Sequence, residues 1–301
     1  MDWRWRWWLG CILLLGCIGR AEADEVVDDL GESFALEQPP MRIVSLAPSN
    51  TELLYALGLG GRVVGVTEFC NFPQAADSVV KVAGFNTVNL ERVTQVRPDL
   101  IMAIRGNDME SLRSLRELGF PVFSLDIQSL SGMGDALRRM GKLLGVGTRA
   151  DALADSLDLR VKRVRSRATS RPERPKVLWG FWGEPIYTAG AGTMIDDVFR
   201  TAGGQNIGAR AEGAWPQVSL ETIVLWEPDV LITTHVPGGS ENLPNELMRL
   251  QQMDGWKMVP AVRDGRVFYV EGDWLLRPGP RLVDALEAIA TYLDGEGDFE
   301  K

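Results

Sequence analysis

The sequence predicts an α/β protein of two parallel-sheet lobes joined by a single long helix, with a ligand cleft between the lobes. Three observations carry this. Apolar strand-like runs alternate with helically spaced segments along the 301 residues; one unbroken, charge-rich helical stretch sits midway; and a pattern in the first half recurs in the second. Length agrees, since about 150 residues per domain suggests two.

Residues 1–23 read as an address. Arg4 and Arg6 precede an apolar run of about 11 residues and then Ala21-Glu22-Ala23, the layout of a secretory signal peptide cleaved after Ala23 and too short to span a bilayer comfortably. Leu14-Leu15-Gly16-Cys17 also reads as an imperfect lipoprotein box, which would anchor the chain through Cys17 instead. Both readings place the protein in the periplasm. Cleavage removes three arginines and two acids, so the net charge of -9 becomes -10, and four of the ten tryptophans leave with the signal. Cys70 is then the one remaining cysteine, unable to form an internal disulfide and read as a packed small hydrophobe.

A polar, acidic lead (24–41) follows. In the N-terminal lobe (42–145), strands are expected at 42–46, 62–67, 80–83, 99–104 and 121–126, and helices at 50–58, 89–97, 109–119 and 129–145. The connecting helix (146–171) carries a stripe of Ala152, Leu153, Leu157, Leu159, Val161 and Val164 and stops before Pro172. At about 23 residues it would run about 35 Å. It fits a surface element of one domain or a strut between two; its position between two β-α sets favours the strut. In the C-terminal lobe (172–301), strands are expected at 176–182, 185–190, 229–234 and 266–270, with helices at 193–202, 220–227, 245–254 and 280–294.

The recurring pattern is NLERVTQVRPDLIMA at 89–103 and SLETIVLWEPDVLIT at 219–233, a constant offset of 130. Leu90/Leu220, Glu91/Glu221, Pro98/Pro228 and Asp99/Asp229 are identical. Asn89 and Ser219 are both good N-caps, and each Pro-Asp ends a helix and leads into a strand. Helix-Pro-Asp-strand is a common local solution, but matched caps and acids favour two related lobes.

Several function classes are disfavoured. An acidic chain lacks the basic patch that nucleic-acid binding needs. One histidine, His235, argues against a histidine-rich metal site or catalytic network, and no GxSxG, HExxH, P-loop, CxxC or GxGxxG sits in a convincing context. No catalytic residue, cofactor or metal is therefore expected. Loops after strands are where α/β ligands bind. They are aromatic-rich: Phe69-Cys70-Asn71-Phe72-Pro73, Gly84-Phe85-Asn86, Trp179 to Tyr187, Ala214-Trp215-Pro216 and Asp273-Trp274. Such rings stack on large planar ligands or fill the core beneath their loops.

RIVSLAPSNTELLYALG (42–58), NLERVTQVRPDLI (89–101), AWPQVSLETI (214–223) and GDWLLRPGPRLVDAL (272–286) resemble the periplasmic cobalamin-binding proteins of ABC importers, from about Arg42 to about Leu293. The wider group also binds iron–siderophore complexes and haem. The resemblance implies two α/β lobes on one long helix with small closure movements, and a cobalamin or related corrinoid as transported ligand rather than cofactor. It implies a monomer until it docks on an ABC permease dimer, with Glu91 and Glu221 facing the permease's arginines; the plain alternative is two first-turn glutamates favoured by the helix dipole. It implies aromatic ligand contacts at Phe69, Phe85, Tyr187 and Trp215, and polar ones at Asp273 and Arg277, which are also spaced for a local ion pair. Ile104 departs from the family, standing where a tryptophan is usual. An anionic siderophore calls for several Arg or Lys in the cleft, and only Arg105 and Arg277 are obvious candidates, while Tyr187 and His235 keep haem open as axial ligands. An exported enzyme or a sensor-type ligand-binding domain are the rivals from other classes.

Overall fold

Strands here are short continuous apolar runs because helices cover both faces of each sheet. A computed structural model describes residues 25–84, 87–183, 185–234 and 244–295; the signal segment with Cys17 and Ala23, together with Phe85 and His235, lies outside them. The first lobe begins with a hairpin, β1 (Val26–Val27) and β2 (Ser33–Phe34). It continues through β3 (Ile43–Ser45), α1 (Pro48–Ala56), β4 (Val63–Thr67), β5 (Lys81–Ala83), α2 (Leu90–Gln95), β6 (Leu100–Ile104), α3 (Met109–Glu117), β7 (Val122–Leu125) and α4 (Leu130–Leu144). The five main strands are all parallel in the order β5-β4-β3-β6-β7. The order reverses at β3, so a crevice opens at the carboxyl ends of β3 and β6.

The acidic lead is folded onto this lobe. The buried Asp28 carboxylate accepts from the backbone of Leu30, Glu32 and Ser124 at 2.8–2.9 Å, and Asp29 pairs with Arg139 at 2.8 Å. Phe34 meets Phe123 edge-on at 5.2 Å. The lead thereby covers the outer edge of β7, an exposed strand edge that would otherwise offer itself for pairing.

The expected strut is α5 (Gly147–Thr169), 23 residues long. It buries Ala150, Ala154, Leu157, Val161 and Val164, whereas Ala152 and Leu159 of the expected stripe face solvent. The buried set steps by four and three residues; Ala152 and Leu159 each lie about 200° around the helix from their buried neighbours two residues away.

The second lobe comprises β8 (Lys176–Phe181), β9 (Ile186–Thr188), α6 (Met194–Thr201), β10 (Gln205–Asn206), β11 (Gln217–Val218), α7 (Leu220–Trp226), β12 (Val230–Thr233), α8 (Pro244–Gln252), α9 (Pro260–Arg263), β13 (Val267–Tyr269), α10 (Gly272–Leu275) and α11 (Leu282–Asp294). Its core strands β10, β8, β12 and β13 are parallel, but β9 runs antiparallel to β8, and β11 antiparallel to β9. The cause is local: the 182–185 link is too short for the crossover that a parallel pair requires. β10 takes the first half of the β8 edge and β9 the second.

The sequence repeat is a stereochemical repeat. Asn89 caps α2 by accepting from Arg92 N, and Ser219 caps α7 by accepting from Thr222 N. Arg97 (φ 44°) and Glu227 (φ 49°), also 130 apart, are the two non-glycine residues with positive φ among those described. Asp99 N donates to Arg42 O and Asp229 N to Lys176 O, both at 2.9 Å. Their carboxylates then accept from the backbone that starts the neighbouring strand, at Arg42 N (2.8 Å) and Lys176 N (2.7 Å).

The middle of the strut is pinned to a helix of each lobe. Arg138 of α4 reaches Asp155 (2.7 Å) and Asp158 (3.2 Å), while Arg160 reaches Asp284 (2.6 Å) and Glu287 (2.7 Å) on α11. The Arg160 hydrogen bonds hold the Glu287 carboxyl below its usual range. A Cβ on Gly141 would lie 2.3 Å from that of Ala150, so α4 and α5 cross almost backbone to backbone. One apolar cluster runs unbroken from Phe123 and Leu137 through Leu157 to Val198 and Ile289. A shared core of this kind resists wide lobe opening.

Candidate functional site

Segments that follow β4, β6 and β13 carry Phe69, Ile104 and Asp273, whereas Tyr187 lies within β9 and Trp215 just ahead of β11. After β4 comes Phe69, 44% exposed, with Asn71 and Phe72 on the same loop. Cys70 between them is buried, its sulfur 3.1 Å from the hydroxyls of Thr51 and Thr67, as a packed residue should be. Ile104 ends β6 partly buried, and the turn behind it is fixed by Asn107, which accepts from Ile104 N and donates to Leu46 O. Arg105 is engaged by Asp126 at 3.1 Å.

Across the cleft, Tyr187 lies on β9 opposite Gln217 of β11, 43% exposed. Trp215 leads into β11 and is 53% exposed. Thr188 N to Pro216 O (3.0 Å) and Gly190 N to Ala214 O (2.8 Å) tie that segment down. A Cβ at Gly190 would come within 1.9 Å of Gly213 O, so a glycine is required for this approach. Beneath Trp215 the buried Trp179 packs edge-on at 5.8 Å and in turn meets Phe181 at 4.9 Å. Trp215 is therefore a half-open apolar surface on an aromatic base, and Tyr187 a second half-open ring on the neighbouring strand. Trp256, by contrast, is buried against Trp182.

Asp273 and Arg277 do form the local ion pair that their spacing allows, at 2.7 Å. The pair is not isolated. Asn71 of the first lobe donates from Nδ2 to Asp273 (3.0 Å) and accepts from Arg277 Nη1 (2.6 Å). Beside them Glu52 of α1, its side chain 2% exposed, accepts from Arg281 Nε (2.9 Å) and Nη2 (2.5 Å) and lies 3.7 Å from Arg277. The Arg281 guanidinium sits 4.0 Å over the Phe72 ring. A cavity of about 270 Å³ adjoins this junction, between Tyr55, Phe72, Pro280 and Arg281. Asn71, Glu52 and Arg281 were not singled out from the sequence as site residues. One signal was there: Glu52 is the one charged residue of α1, and a carboxylate must be met by a cation when buried.

Glu91 and Glu221 occupy matched positions in the first turns of α2 and α7, both exposed. α2 follows the parallel strand β5, and α7 follows β11, which runs opposite to β9 and so in the direction of β8; both helices therefore begin toward the carboxyl edge of their lobe's parallel strands. Hydrogen bonds from the Ser219 hydroxyl and the residue's own N–H hold the Glu221 carboxyl below its usual range. Among the described residues no group of three His, Cys, Asp or Glu is placed to hold a metal ion.

The profile of the periplasmic binding protein family matches residues 43–273. The chain belongs to that family. An uncharacterised ABC transporter substrate-binding lipoprotein of Bacillus subtilis is 31% identical, the match covering 95% of this chain and 94% of the relative. The periplasmic vitamin B12 binding protein BtuF of Vibrio cholerae is similar in structure, with a TM-score of 0.73 at 32% identity, covering 86% of this chain and 98% of its own. The periplasmic haem-binding protein RhuT of Roseiflexus has a TM-score of 0.74 at 25% identity, covering 85% and 99%. The α/β fold of the chain is thus that of this solute-binding family.

Proposed function

We propose that the mature protein captures a corrinoid in the periplasm and delivers it to the permease of an ABC importer. The observation that carries this reading is the pairing of half-exposed aromatic faces, Tyr187 and Trp215, with the polar couple Asp273–Arg277 at the strand ends. A corrinoid offers both an extended apolar face and a rim of amides, which need donors and acceptors together. The similarity to a vitamin B12 binding protein supports the choice. Phe69 supplies a further apolar contact, and Phe85 belongs to the same set by its position in the sequence. Ile104, lacking a stacking ring, shifts the pocket toward a corrinoid preference of its own. Ligand binding and hand-over require no catalytic group, so we assign none.

An anionic siderophore fits less well, because Arg105 and Arg277 are both already paired with carboxylates. Haem remains the second reading, favoured by the haem-binding relative and by the exposed Tyr187 ring as a candidate axial ligand. For location we take export with cleavage after Ala23; anchoring through Cys17 is the variant that the lipoprotein relative supports.

Delivery is assigned to Glu91 and Glu221. Two lobes related by a repeat present like charges at matched places, as docking on a two-fold permease dimer with basic patches requires. The double variant Glu91→Ala/Glu221→Ala is expected to keep its corrinoid affinity but lose transport at least about tenfold, since rim charges govern orientation and encounter. Uptake of labelled cyanocobalamin in cells carrying the variant checks this. Full uptake would return both residues to ordinary helix-dipole partners.

A further inference from the structure

The polar couple of the second lobe is already holding a carboxamide, and that carboxamide belongs to the first lobe. Asn71 gives its Nδ2–H to Asp273 Oδ2 at 3.0 Å and takes a hydrogen bond from Arg277 Nη1 on its Oδ1 at 2.6 Å. The reverse placement of the amide would set its NH2 against the guanidinium and its oxygen against the carboxylate, so the partners fix its orientation. The receiving groups are pre-set: Arg277 is held by Asp273 Oδ1 at 2.7 Å and by Glu52 at 3.7 Å, and the two side chains are 16% and 27% exposed. Asn71 itself stands on an exposed loop, and hydrogen bonds to charged partners are the stronger kind.

We propose that Asn71 is a specificity-determining residue, an internal competitor whose side chain fills a primary-carboxamide subsite until a ligand carboxamide displaces it. The proposal rests on the corrinoid reading, in which the ligand rim carries such amides. It explains selectivity through what is lost on exchange. A ligand carboxamide restores both hydrogen bonds that Asn71 gives up. A carboxylate in the same place gains at Arg277 but is repelled by Asp273, and an apolar group replaces neither of the two hydrogen bonds that Asn71 gives up. Because Asn71 belongs to the first lobe and its partners to the second, the exchange also releases a bridge across the cleft.

A site occupied by its own side chain binds with an affinity reduced by the fraction of time it is free. Asn71→Ala is therefore expected to bind cyanocobalamin roughly fivefold more tightly than the wild type. In ¹⁵N-labelled wild-type protein, the Asn71 side-chain amide signal should move to a solvent-exposed position on saturation with cyanocobalamin. Propionamide, but not propionate, at high concentration should move the same signal. Equal or weaker cyanocobalamin binding by Asn71→Ala would overturn the proposal, as would an Asn71 signal that ignores both cyanocobalamin and propionamide. A wild type that ignores cyanocobalamin while its Asn71 signal answers to propionamide would sink the corrinoid reading and uphold the carboxamide subsite.

Discussion

Replacing Glu52 by alanine is expected to destabilise the protein by roughly 3–5 kcal/mol, the cost of stripping one partner from a buried ion pair. The side chain is 2% exposed and faces two arginines of the other lobe, accepting twice from Arg281 and standing 3.7 Å from Arg277. Their side chains are 15% and 16% exposed, so water can do little to replace the lost carboxylate. For a chain of this size the loss corresponds to a fall in Tm of about 10 °C, read by calorimetry. Glu52→Gln keeps the shape but only one of the two acceptor oxygens, setting its NH2 against the Arg281 guanidinium, and should fall between Glu52→Ala and the wild type. Functional loss should follow, because Arg277 would no longer be held for the ligand. A Tm for Glu52→Ala within about 2 °C of the wild type would show that the junction between α1 and α11 is not a structural tie.

Trp215→Ala is the second large effect, and it falls on binding instead of stability. More than half of the ring is already open to solvent, so its removal costs the fold little. The exposed face is what a corrin would cover. Losing that contact is expected to cost on the order of 2 kcal/mol, about thirtyfold in Kd for cyanocobalamin. Trp179 stays in place below, so the base of the pocket survives the change. Isothermal titration of the variant against the wild type gives the number; an unchanged Kd would remove Trp215 from the site.

The fold was legible because its signals are local. Consecutive apolar residues such as Leu100–Ile104 announce a doubly covered strand, and the 130-residue offset announces two related lobes, down to the unusual φ of Arg97 and Glu227. Three features were not legible, each for a physical reason. The antiparallel turn of β9 depends on how little chain separates it from β8, which a strand pattern does not register. The acidic lead reads as a polar tail, yet Asp28 and Phe34 fold against β7 through contacts about 90 residues away in sequence. The phase of the α5 stripe depends on which face two lobes leave open, so Ala150 and Ala154 replaced Ala152 and Leu159.

The candidate site divides in the same way. Aromatic residues in loops after strands are visible as composition, and Tyr187 and Trp215 are exposed where a ligand could reach them. Asp273 and Arg277 could be read as a pair from their spacing of four, but their third partner, Asn71, is 202 residues away from Asp273. Long-range polar contacts of that kind leave no trace in periodicity. Glu52 left a faint one, as the one charge in the mostly buried helix α1.

The central claim is that the cleft binds a corrinoid, and one calorimetric titration of the mature protein with cyanocobalamin, haem and a ferric siderophore in parallel tests it most directly. The account predicts cyanocobalamin binding below about 10 μM, a free energy more favourable than about -7 kcal/mol, with haem and siderophore weaker. No corrinoid binding in that range, or haem binding more tightly than cyanocobalamin, would contradict it.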